Sequence, residues 1–172
     1  MTKPMQFTGR LWRIEDSSGR LIDDIDTDMI FHNAHLHITE LSRMGAHAFG
    51  NLDGYQDFPS HVTAGDIVLV GRNFGCGSSR QQAVDCFAAL GVSLLIAESF
   101  GAIYKRNAIN SGFPILTFKP GTRFPAHLSE VSVDLEKGEL IGDDYPVALE
   151  SFSAVQRDIY LAGGLLKTVP GA

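Results

Sequence analysis

The chain has 172 residues, 44% hydrophobic and 20% charged, so it can form one ordinary domain that buries roughly 70% of its unfolded surface. That balance excludes disordered, collagen-like and coiled-coil classes, and a net charge of −6 argues against a nucleic-acid or membrane-surface partner. Two cysteines, Cys76 and Cys86, cannot build a disulfide framework, a four-cysteine zinc site or a self-held iron–sulfur cluster. No apolar run is long enough to span a bilayer, and residues 1–6 lack the core of a signal peptide. The expectation is a cytoplasmic chain with free thiols.

Residues 6–14 read as a strand containing Gly9. Ser17-Ser18-Gly19 is a turn signal, and Arg20–Ile25 reads as a second short strand. An acidic run follows (Asp23, Asp24, Asp26, Asp28), and then residues 29–39 hold three of the six histidines. Thr39 is placed to cap a helix over Glu40–Phe49, ended by Gly50. Residues 50–65 look like a turn-rich loop. Asp66–Val70 is a β-branched apolar run, hence a buried strand. Gly71–Gly77 cannot be regular structure. Ser78 or Ser79 is expected to open a helix with Ala83, Val84, Phe87, Ala88 and Leu90 on one face. Leu94–Ala97 is a strand, Ser99 opens a helix to about Asn110, and Phe113–Phe118 is a third strand. This β-α-β-α-β run implies parallel strands with right-handed crossovers. Beyond Pro120, Val131–Leu135 and Leu140–Ile141 form a hairpin, Tyr145–Phe152 a strand and Ser153–Leu161 a short helix. The expected class is α/β: a central βαβαβ with antiparallel segments at both ends, in a mixed sheet or irregular barrel, filling residues 1–172 as a single domain.

The loop Gly71–Arg80 carries the chemistry. It joins a strand to a helix, where free N–H groups and the helix dipole favour an anion. The dinucleotide fingerprint fails because its third glycine would be Arg80, and no nucleoside-triphosphate loop occurs. What remains is Gly77-Ser78-Ser79-Arg80. Gly77 lets the backbone approach a ligand, two hydroxyls offer hydrogen bonds, and a guanidinium suits a carboxylate. The simpler alternative makes Ser78 an N-cap and Arg80 a surface charge. Asp24-x-Asp26-x-Asp28 mimics the opening of a calcium loop, but Met29 and His35 stand where Gly and Glu are needed.

Asn73-Phe74-Gly75-Cys76-Gly77-Ser78-Ser79-Arg80 resembles the signature loop of the swivel (β/β/α) domain of the aconitase superfamily, and most closely its 3-isopropylmalate dehydratase and homoaconitase small subunits. Asp26-Thr27-Asp28, Gly65–Val68, Ala97–Asn110 and Leu161–Leu165 resemble further family blocks in the same order. The resemblance implies a hydro-lyase that isomerises a hydroxy di- or tricarboxylate by dehydration and rehydration, most closely 2-isopropylmalate to 3-isopropylmalate in leucine biosynthesis. It implies a [4Fe–4S] cluster held by a separate large subunit, with no cofactor or metal on this chain. By motif position it implies Ser78 as the base, Asp28 as an acid orienting it, and Ser79, Arg80 and Gly77 as substrate-binding. His35–Thr39 falls in the family's specificity loop with neither the usual apolar residues nor an arginine, and His37 lies near the discriminating position. Gln81-Gln82 replaces an acidic-plus-histidine pair. His32 and His35 offer only a weak metal pair, and His47, His61 and His127 read as ordinary surface or helix residues. Two other classes stay open on the residues alone: a non-catalytic carboxylate-binding module, and a nucleotide-dependent oxidoreductase, which the failed glycine motifs disfavour.

Overall fold

The computed structural model describes residues 2–171. Strands β1 (Gln6–Arg13), β2 (Ile67–Val70), β3 (Leu94–Ala97), β4 (Ile115–Thr117), β5 (Glu130–Asp134), β6 (Glu139–Ile141) and β7 (Pro146–Ala148) form one sheet in the order β4-β3-β2-β1-β5-β6-β7. The four strands β1 to β4 are parallel, and β5 to β7 run antiparallel, meeting the parallel half at β1. The mixed sheet is thus as expected, with one correction. The N-terminal strand takes part in both halves, pairing antiparallel with β5 over Gln6–Arg10 and parallel with β2 over Leu11–Arg13.

Helices α1 (Thr27–Ile30), α2 (Leu41–Met44), α3 (Phe58–His61), α4 (Gln82–Ala89), α5 (Ala102–Ser111) and α6 (Ala154–Ala162) complete the chain with short 3-10 turns. β2 and β3 are buried on both faces, as parallel strands are. Their alternation divides the core in two. Val68, Val70, Leu95 and Ala97 face an aromatic cluster of Phe31, Phe49, Phe58, Phe74, Phe87 and Tyr104. Ile67, Leu69, Leu94 and Ile96 face Val131, Val133, Leu140, Val147 and Tyr160, so the sheet curls over its second face. Phe49 meets Phe58 and Phe87 edge-on at 5.1 Å, and burying each such ring stabilises the fold by about 2–3 kcal/mol.

Gly9 lies where β1 passes the turn before β2. A Cβ there would sit 2.0 Å from the Gly65 carbonyl oxygen, so only glycine lets the two backbones approach. Beside it, Asp66 is only 3% exposed. It accepts from Arg10 Nε (3.0 Å) and Nη2 (2.7 Å), from Trp12 Nε1 (2.8 Å) and from the Thr63 N–H (2.8 Å). Burial opposes its ionisation, but the hydrogen bonds from Arg10, Thr63 and Trp12 outweigh burial and hold the carboxyl below its usual range.

Several expected elements differ. Arg20–Ile25 is not a strand. Leu21 makes one bridge to Glu15, and Asp24 has φ +55°, which ends the extension. The helix expected over 40–49 is split into α2 and a 3-10 turn, Gly45–His47, and Thr39 caps nothing, because Glu40 is the N-cap. The loop 50–65 contains α3. Helix α5 starts at Ala102, because the Ser99 hydroxyl accepts from the Asn73 N–H (2.8 Å) instead of capping.

Candidate active site

The loop after β2 is held between two neighbouring segments. The Gly75 N–H donates to the Ile25 carbonyl (2.7 Å) and the Thr27 N–H to the Cys76 carbonyl (2.9 Å). On the other side the Phe74 N–H donates to the Ser99 carbonyl (3.0 Å) and the Gly101 N–H to the Phe74 carbonyl (2.8 Å). Gly75 has φ +76°, and a Cβ there would lie 2.2 Å from the ring of Tyr104. The buried Tyr104 hydroxyl donates to the Ala83 carbonyl at the start of α4 (2.9 Å). Gly75→Ala should therefore lose at least about 2 kcal/mol of stability through strain and overpacking, read as a lower melting temperature. An unchanged melting temperature would contradict this packing.

Helix α4 begins at Gln82, not at Ser78 or Ser79, and its N-cap position, Gln81, makes no side-chain cap. The N-cap alternative for Ser78 is therefore excluded. Residues 77–79 are exposed, and among the described residues the backbone N–H groups of 77–82 have no acceptor. Consecutive free N–H groups in an irregular turn form an anion-binding concavity. The Ser78 hydroxyl has no partner among the described residues and faces solvent. Ser79 Oγ accepts from Asn107 Nδ2 (3.2 Å).

Arg80 is not a surface charge. Its side chain is 11% exposed, and Nη1 donates to the Phe31 carbonyl (2.6 Å), the Thr27 carbonyl (3.3 Å) and Asp28 Oδ1 (3.1 Å). The guanidinium is thus anchored at the end of α1 by one nitrogen. Among the described residues Nε and Nη2 have no hydrogen-bond partner, and no buried side-chain nitrogen or oxygen is left unpaired, so this edge reaches solvent. It is the edge that grips a carboxylate with two parallel hydrogen bonds.

Asp28 makes no hydrogen bond to Ser78, contrary to the orienting role that the resemblance implies. Besides Arg80 it accepts from the Asn33 N–H (2.9 Å) and Asn51 Nδ2 (3.1 Å). The Asn33 N–H, helped by Arg80 and His32, keeps its carboxyl below the usual range. The acidic run is dispersed: Asp24 takes Asn73 Nδ2 (2.9 Å), Asp26 caps α1 through the Met29 N–H (2.8 Å), and Asp28 holds Arg80.

The segment after α1 adjoins the start of α4, where Gln82 Nε2 donates to the Leu36 carbonyl (3.3 Å). His37 is exposed and makes no hydrogen bond among the described residues. His35 instead stacks on His47, with centroids 3.8 Å apart, so His47 is not an ordinary surface residue. Burial first, then His35, Arg43 and His37, lower the His47 pKa. A folded pKa below the unfolded value of about 6.5 means that the unfolded state binds the extra proton. Stability from His47 is present above about pH 6.5 and is lost as pH falls toward the folded value. His47→Gln should flatten melting temperature against pH in that window, and an unchanged slope would count against it.

Among the described residues no three His, Cys, Asp or Glu side chains converge to hold a metal ion. The Cys86 thiol is buried and faces the Ala83 carbonyl, and Cys76 is half-buried. These residues do not fit a cluster ligand set. No described helix is long and apolar enough to cross a membrane. Sequence reading missed Asn51, Tyr104, Asn107 and the His47 stack. Tyr104 and Asn107 lie in the block Ala97–Asn110, but nothing local shows what they touch.

Residues 21–121 match the aconitase C-terminal domain family. The 3-isopropylmalate dehydratase small subunit of Syntrophus aciditrophicus is 36% identical over 167 residues, covering 95% of each chain. The methanogen homoaconitase small subunit of Methanothermobacter thermautotrophicus is 38% identical over 170 residues, covering 94% of this chain and 91% of that one. The fold superposes on the crystal structure of 3-isopropylmalate dehydratase from Methanocaldococcus jannaschii with a TM-score of 0.83 and 33% identity, over 95% and 92% of the two chains. With its sheet order, its loop and its full-length likeness to these proteins, the chain belongs to the aconitase C-terminal domain family, in the group of 3-isopropylmalate dehydratase and homoaconitase small subunits.

Proposed function

We propose that this chain is the small subunit of a hydro-lyase that converts 2-isopropylmalate to 3-isopropylmalate. It acts only with a large subunit, which holds a [4Fe–4S] cluster; when bound there, the cluster supplies Lewis-acid assistance to the leaving hydroxyl. The observation that carries the reading is the turn 77–82, with its free N–H groups beside the open Nε/Nη2 edge of Arg80. Such a turn suits a carboxylate. Arg80, Ser79 and the N–H groups around Gly77 hold that carboxylate. Ser78 Oγ then takes the proton from the carbon α to it, as the hydroxyl leaves the neighbouring carbon. For this step Ser78 acts as its alkoxide, because the neutral hydroxyl is too weak a base; the surrounding N–H donors stabilise that negative charge, and the captured proton restores the hydroxyl. Asp28 fixes Arg80 rather than Ser78, and His37 stands on the rim where the substrate side chain enters.

The imidazole-rich rim, with His35, His37 and His47 near Arg43, favours one second reading. A substrate with an extra carboxylate would make the enzyme of the homoaconitase kind. The test is reconstitution with the large subunit and a panel of isopropylmalate, homocitrate, citrate and methyl-substituted malates. The isolated chain should be inactive, and the complex should give its highest kcat/KM with isopropylmalate. Turnover by the isolated chain would overturn the subunit reading, and preference for homocitrate would select the second one.

A further inference from the structure

We propose that Asn107 is a positioning residue that sets the Ser79 hydroxyl to donate toward the substrate carboxylate; the proposal rests on the carboxylate-binding reading of Ser79. Helix α5 is the platform beneath the site loop. At its start, a Cβ on Gly101 would come within 3.0 Å of the Cys76 backbone. One turn on, the Tyr104 ring lies against Gly75, and its hydroxyl reaches the Ala83 carbonyl. Another turn on, Asn107 reaches Ser79. Residues spaced by three share one broad helix face, so a single rigid element supports the loop at three successive points.

The polarity of the last contact matters. Asn107 Nδ2 is a donor only and occupies a lone pair of Ser79 Oγ at 3.2 Å. A hydroxyl so engaged keeps its own hydrogen free. Among the described residues nothing accepts that hydrogen, and the nearest free groups of the turn, the N–H groups of 77–82, are donors too. The free N–H groups of the turn and the Ser79 hydroxyl can thus all give hydrogen bonds to one anion. Without Asn107, the Ser79 hydroxyl is free to rotate. With a carboxylate in its place, the hydrogen is drawn away from the substrate.

The test uses the reconstituted complex carrying Ser79→Ala, Asn107→Ala, Asn107→Asp and the double variant S79A/N107A, with KM, kcat and melting temperature measured for each. Asn107→Ala should raise KM about 5- to 10-fold, the scale of a weakened hydrogen bond to a charged group, with kcat changed less than about twofold. Asn107→Asp should raise KM further, and Asn107→Ala should add nothing in the Ser79→Ala background. If Asn107→Ala raises KM equally with and without Ser79, or lowers melting temperature and kcat while KM stays unchanged, its role is structural and the proposal fails. An unchanged KM in Ser79→Ala overturns the reading of Ser79 and the proposal with it.

Discussion

Ser78→Ala is expected to lower kcat of the reconstituted enzyme by about 10²–10⁴-fold, the contribution of a positioned general base. The fold should not notice the change. Ser78 is exposed, caps no helix and makes no hydrogen bond among the described residues, so melting temperature should move by no more than about 0.5 kcal/mol would cause. Co-elution with the large subunit should persist. Steady-state rates and size-exclusion chromatography of the same preparation check both statements. Near-normal turnover would refute the base assignment. Lost association would mean that Ser78 serves the interface instead.

Asp66→Ala should cost about 3–4 kcal/mol of stability, or roughly 10 °C in melting temperature for a chain of this size. The carboxylate is buried, and it satisfies the Trp12 indole N–H, the Thr63 N–H and both nitrogens of the Arg10 edge. Removing it leaves the buried Trp12 indole N–H, and the partly buried Thr63 N–H, without an acceptor. Arg10 is partly exposed, so its charge returns to water and adds less. Because the folded pKa of Asp66 lies below the unfolded one, its stabilisation is present above about pH 4 and is lost as pH falls through the folded value. Thermal melts of the wild type and the variant from pH 7 down should therefore converge under acid conditions. A difference that is constant with pH would show that the effect is packing alone.

The strands of the parallel half were legible because β2 and β3 are buried on both faces, which demands unbroken β-branched or aliphatic runs. The signature loop was legible because Gly75 has no room for a side chain. Local signals misled where long-range hydrogen bonds outcompeted them. Ser99 gave up its cap for the Asn73 N–H. Ser78 lies outside α4 because the loop is stitched to residues 25–27 on one side and 99–101 on the other. Leu21 pairs only with Glu15, since Asp24 turns left-handed to bring its carboxylate to Asn73.

From sequence alone came the class of fold, the family blocks in their order, and the residue types that meet an anion: two serines, an arginine and glycines in one short turn. These are properties of consecutive residues, where composition and spacing speak directly. Which groups each of them answers to was decided only in three dimensions. Asp28 and Arg80 are 52 residues apart, Ser79 and Asn107 28, and Asp28 and Asn51 23. Such pairs form where the crossovers of a parallel sheet bring distant turns to one end of the strands. A hydrogen bond depends on ångström distances and on donor polarity, neither of which leaves a periodic trace along the chain. That is why Asp28 turned out to hold the arginine and not the serine.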